Sequence, residues 1–150
     1  MMGLVWSLLG ILSGTFIALQ APINAALSRG LGGVPFAAAA VSFLAGTVVL
    51  VAVSLLVFQA QGAPISWSVP PLWVYVAGGC LGAAYVTSVI VLTPKLGTAA
   101  TMALIVSGQL LAGMLLDHMG AFNLAVREIT LGRASGAVLL LAGALLIRIY

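Results

Sequence analysis

Apolar residues fall in five long runs along this chain, separated by short polar gaps. The first run covers about 4–27 and ends at Ser28-Arg29-Gly30. The second covers about 36–58 and ends in Gln59, Gln61 and Gly62. The third covers about 72–92 and is closed by Thr93-Pro94-Lys95. The fourth covers about 98–116 and closes at Asp117-His118. A polar stretch with Asn123, Arg127, Glu128 and Arg133 precedes the fifth, about 134–147. A bilayer-spanning helix needs about 20 apolar residues, because the hydrocarbon layer is roughly 30 Å thick and each residue rises about 1.5 Å. The pattern therefore predicts an all-α integral membrane protein of five transmembrane helices, a single transmembrane domain over 1–150. The fifth helix is the shortest and spans if Arg133 and Arg148 snorkel to opposite surfaces. No segment alternates polar and apolar residues at period two, which speaks against a barrel. The loop 63–71 carries Pro64, Pro70 and Pro71 and is expected to be non-helical over much of its length.

Composition sharpens this picture. Of 150 residues, 63% are hydrophobic and 5% charged, and mean hydropathy is +1.31. A soluble domain carries roughly 25% charged residues and about 45–50% apolar ones. Lipid must be the solvent for most of this chain. The net charge of +3 is small and scattered, without the basic cluster that nucleic-acid binding requires. Cys80 is the single cysteine, so no internal disulfide forms. No Lys or Arg precedes the first apolar run, so that run is expected to be a retained helix rather than a cleaved signal.

Aromatic residues gather where span ends should meet the lipid–water boundary: Trp67, Trp73 and Tyr75 near one end of the third span, Trp6 and Tyr150 near the chain ends. A stacking role for Trp73 is the alternative reading. Glycines recur four apart, at Gly10 and Gly14, Gly78 and Gly82, and Gly132 and Gly136. On a helix this spacing makes a smooth face for close backbone approach, either within the bundle or between helices that rock during transport. Five spans put Arg29, Lys95 and Arg148 on one side, with Arg127 and Arg133 on the other. Three against two is almost no orienting bias. Such a chain is expected to insert both ways and form an antiparallel homodimer, with the symmetry that larger transporters carry as inverted repeats. A paired homologous subunit is the alternative partner.

Polar groups within the runs are the candidates for chemistry, because they are costly in hydrocarbon and face the bundle interior. Gln20 and Asn24 share one helix face, with Pro22 between them removing a backbone donor. Gln109 is the one large polar group well inside the fourth span, preceded by Ser107 and Gly108. Its amide both donates and accepts. Ser42 and Tyr85 join this substrate-contact set; Ser42, like Thr47, Thr87 and Ser88, is a weaker candidate because its hydroxyl can bond its own helix. Asp117 opposes the helix dipole at the end of the fourth span, so it is not there to stabilise that helix. It is expected to pair with Arg127 or Arg133, or to gate a pathway mouth together with His118. The alternative for every amide is an interhelical hydrogen bond. No Asp, Glu, Lys or Arg lies mid-span, which argues against proton exchange centred on a buried carboxylate. No Walker A motif, no His/Cys/Asp cluster and no serine–acid–histidine set appears, so neither cofactor, metal nor enzymatic activity is expected.

Several of these residues together resemble a known family. Pro94-Lys95-Leu96-Gly97-Thr98-Ala99-Ala100, then Gly108-Gln109-Leu110, then Leu116-Asp117-His118-Met119-Gly120 look like the signature of the YdcZ family of the drug/metabolite transporter superfamily. Gln20, Asn24 and Leu27, and Ala45-Gly46-Thr47, are similar too. Glu128-Ile129-Thr130-Leu131-Gly132 to Gly143 resembles the closing helix of EamA-type members. The resemblance implies a bacterial inner-membrane protein of about five spans, half the size of the ten-helix transporters. It also implies kinship with small multidrug resistance proteins, which act as antiparallel dimers and exchange protons through a first-helix glutamate. Here Gln20 is the nearest substitute for that glutamate and holds no charge, which disfavours proton exchange and cationic drugs. The expected function is secondary transport of a small polar metabolite or drug-like solute. An accessory membrane subunit and a passive channel are the readings kept beside it.

Overall fold

A computed structural model describes residues 2–62 and 70–150. It contains five helices long and apolar enough to cross a membrane: α1 (Met2–Gly30), α2 (Pro35–Gln61), α3 (Leu72–Leu96), α4 (Thr98–Met119) and α5 (Leu131–Ile149). No strand occurs among the described residues. Each predicted span is present, and each helix runs a few residues past the apolar run that announced it. The extra turns are polar-tolerant ends, where a helix still satisfies its own backbone after the hydrophobic requirement has lapsed. Trp67 and residues 63–69 of the proline loop lie outside the described residues.

Local chemistry accounts for the helix ends. At the end of α1 the Ser28 carbonyl accepts from Leu31 N (3.2 Å) and Gly33 N (2.8 Å). Gly32 (φ 75°) and Gly33 (φ 79°) supply the left-handed backbone this needs. Pro35 then sits at the first position of α2, where its missing N–H costs nothing. Pro22 lies inside α1 and Pro94 inside α3, and both helices continue through them. Pro94 was expected to close the third span. Because it falls in the last turn, only the final hydrogen bonds of α3 are affected, and the helix persists to Leu96. Gly97 alone separates α3 from α4, at φ 81° and ψ 159°, a region essentially closed to residues with a Cβ.

The chain divides into two compact units, Met1–Val91 and Leu92–Tyr150. In the first, α1 packs along α2. Its core is Ala38, Ala39, Val86 and Ile90, with Leu27 and Tyr85 against it. Along α2 only Ala38 and Ala39 are buried. In the second unit α4 packs along α5, and Ala100, Met114, Ala137 and Ala144 are its buried apolar side chains. Alanines dominate both cores. Helix association in lipid rests on close packing rather than on apolar transfer, and small residues permit it.

An ion pair fastens the α4–α5 connection. Arg133 Nη2 donates to Asp117 Oδ2 at 2.5 Å, and Arg133 Nη1 donates to the Arg127 and Glu128 carbonyls, both at 3.2 Å. The Asp117 carbonyl accepts from Gly120 N (3.3 Å) and Arg127 N (2.9 Å). Thr130 caps α5 through its hydroxyl, which accepts from Arg133 N at 3.3 Å. Gly120 (φ 60°) is crossed by Val126, whose Cγ2 stands 2.7 Å from where a Cβ would be. Phe122 (φ 57°) and Asn123 (φ 60°) take left-handed backbone in the same loop. Arg133 lies within α5 and spans the connection to Asp117, one of the two pairings expected for that carboxylate.

Two stability predictions follow from these contacts. Gly97→Ala should lower stability by about 1–3 kcal/mol, the usual cost of forcing a Cβ into that backbone region. Gly113→Ala, with open space around it, should change little. Thermal unfolding in detergent compares the two. A double-mutant cycle on Asp117→Ala and Arg133→Ala should give a coupling of about 0.2–1 kcal/mol, as for partly exposed pairs. Arg133→Ala should be the more damaging single change, because it also releases two carbonyls.

Candidate functional site

Within the spans, polar side chains divide by whether the chain satisfies them. Ser7, Ser13, Thr15, Thr47, Ser88, Thr101 and Ser107 each donate to a carbonyl four residues back in their own helix. A short hydroxyl side chain reaches that carbonyl and is thereby made compatible with an apolar surrounding. Ser107 is buried, with its proton committed to the Ala103 carbonyl at 2.8 Å, and keeps only acceptor capacity.

The amides behave differently. Gln20 and Gln109 are exposed within α1 and α4, and neither side chain bonds to a described residue. Asn24, one turn beyond Gln20 on α1, is 4% exposed. The Tyr85 hydroxyl and the Thr93 hydroxyl are buried without a hydrogen-bond partner. Unpaired buried polar atoms are rare in folded proteins and ask for a reason. Pro22 stands between Gln20 and Asn24 and offers no N–H to the carbonyl of Ala18.

A cleft of about 240 Å³ opens in the first unit. Gln20 of α1 faces Ser42, Gly46 and Thr47 of α2 across it, and Phe43, Leu50 and Val86 complete its walls. Gln20 was singled out from the sequence, with Ser42 and Thr47 as weaker candidates. Phe43, Leu50 and Val86 were not, because an apolar residue on an apolar helix carries no local mark of facing a cavity. Gly46 had a signal, as part of Ala45-Gly46-Thr47. Asn24 and Tyr85 belong to the same unit but do not line this cleft. Gln109 and Ser107 belong to the second unit, on α4.

The remaining candidates are placed as follows. Asp117 pairs with Arg133, one of the two partners its position suggested. Arg127 contributes its backbone N–H to the Asp117 carbonyl while its side chain stays exposed, as does His118. Gly82 receives the ring of Phe43, with Cζ 3.3 Å from where a Cβ would be. Gly10, Gly14, Gly78 and Gly136 have nothing within 4 Å at that place, and Gly132 only the Thr130 hydroxyl at 4.0 Å. Trp6 and Trp73 are exposed near helix ends, as a boundary position requires. No group of three metal-ligating side chains occurs among the described residues.

Over residues 5–146 the chain matches the family described as "Putative inner membrane exporter, YdcZ". No curated protein and no solved structure matches it. The matched region contains α2, α3 and α4 entirely and most of α1 and α5, with Gln20, Asn24, Gln109 and the Asp117–Arg133 clamp. The chain is thus a multi-pass protein of the inner membrane and belongs to the YdcZ family of membrane transporters.

Proposed function

We propose that this protein is a secondary transporter that carries a small polar solute by alternating access, as an antiparallel homodimer in which each chain contributes one cleft. The observation that carries the reading is the state of Gln20 and Gln109. Each lies within a spanning helix, is exposed, and has no side-chain partner among the described residues. An amide left in hydrocarbon loses its hydrogen bonds with water and gains none. A second chain and a solute-filled path between the two relieve that cost. The open glycine faces at Gly10, Gly14, Gly78 and Gly136 support the same arrangement, because they permit close helix approach and, among the described residues, nothing stands within 4 Å of where a Cβ would be. The near balance of three cations against two supports insertion in both orientations. Asp117 with Arg133, and His118 beside them, lie at the α4 end, where a mouth of the path would be.

Two measurements test the reading. Reporters active on only one side of the membrane, fused after Tyr150, should both be active. Activity on one side alone removes the antiparallel homodimer and points to an oppositely oriented partner. In proteoliposomes, saturable counterflow of polar solutes should occur. Gln20→Ala and Gln109→Ala should each reduce its initial rate about tenfold or more, the loss of one hydrogen bond to a bound polar group, without lowering yield or dimer fraction. Uptake of quaternary ammonium ions with no uptake of polar solutes overturns the substrate assignment. Unsaturable flux indicates a channel, and no flux at all indicates an accessory subunit.

A further inference from the structure

The cleft of the first unit is specific in what it offers. Gln20 has an amide with both donors and an acceptor, and Ser42 has a hydroxyl; neither is bonded to another side chain or carbonyl among the described residues. The Thr47 hydroxyl donates to the Phe43 carbonyl at 2.8 Å and keeps only its acceptor side. No charged side chain lines the cleft. An ion entering it would leave water and find no counter-charge, which is strongly unfavourable. An uncharged head group would find donors and acceptors from Gln20 on α1 and from Ser42 and Thr47 on α2 and lose little.

The opposite character is supplied by Phe43, Leu50 and Val86. The position of Phe43 depends on Gly82. Its ring atoms Cζ and Cε1 lie 3.3 Å and 3.6 Å from where a Cβ on Gly82 would be, so the ring leans on α3 in the space that the missing side chain leaves. The same ring forms part of the cleft wall. A Cβ at Gly82 therefore obliges the ring to shift, and the width of the cleft shifts with it.

Resting on the reading of this cleft as the solute passage, we propose that it binds an uncharged solute with one hydrogen-bonding head and one flat apolar body, and that the Gly82–Phe43 contact sets the width available to that body. Three probes share one ring and nearly one size but differ in charge: benzamide is neutral, benzamidine is a cation and benzoate an anion at neutral pH. Their binding to the purified full-length protein in detergent is measured by saturation-transfer NMR titration. Benzamide should bind at least about tenfold more tightly than either ion, a ratio that corresponds to roughly 1.4 kcal/mol. Gln20→Leu should weaken benzamide by a similar factor without moving the thermal unfolding midpoint. Gly82→Ala should weaken the two-ring naphthamide more than benzamide. Phe43→Leu, which removes the ring from the wall, should do the reverse, and it serves where Gly82→Ala does not fold.

The proposal is overturned if either ion binds as well as benzamide, if none of the three binds, or if the width variants affect one-ring and two-ring amides alike. Its failure is separable from failure of the transport reading. Selective benzamide binding with no counterflow of any solute sinks transport and leaves the site. Counterflow of charged solutes without benzamide binding does the opposite.

Discussion

Inside hydrocarbon there is no water to accept or donate a hydrogen bond, so every polar group on this chain must be satisfied by the chain itself, by a partner, or by what passes through. The backbone meets that demand by forming five helices. The hydroxyls meet it by bonding back to their own helices, as Ser13, Thr47 and Ser107 do. Capping meets it at the ends, through Ser28, Thr130 and the left-handed glycines. Other polar side chains stay outside these arrangements. Among the described residues the Gln20 and Gln109 side chains have no partner, and the Tyr85 and Thr93 hydroxyls are buried without one.

The same constraint explains the two ways in which charge is handled. Arg29, Lys95 and Arg148 lie in last turns of helices, where a cation meets exposed carbonyls and the favourable end of the dipole. Asp117 also lies in a last turn, where the dipole disfavours it, and Arg133 offsets that by direct contact. The pair then organises the whole connection, because the guanidinium has donors left over for the Arg127 and Glu128 carbonyls. A carboxylate that would destabilise an isolated helix thus becomes the anchor of a helical hairpin.

Much of the fold was legible in the residue order. The apolar runs located all five helices, since span length is set by bilayer thickness and little else. The ends were less legible. Pro94 reads as a stop, yet the helix continues to Leu96, because a proline in the last turn removes a hydrogen bond that was about to end anyway. Gly82 reads as half of a smooth helix face together with Gly78. In the structure the two differ: Gly78 faces open space and Gly82 seats the ring of Phe43. Nothing in the local sequence separates them, since the neighbour that matters comes from another helix.

The sequence by itself determined that this is a helical membrane protein, where its spans lie, and which side chains are chemically out of place in lipid, because those properties depend on each residue's own transfer between water and hydrocarbon. Only the tertiary structure decided which of the out-of-place groups share a cavity, that Asp117 takes Arg133 rather than Arg127, and that Phe43 and Val86 wall the cleft beside Gln20 and Ser42. Those are relations between helices, and the rotation of one helix against another is set by small packing differences spread over many residues, none of which marks it alone.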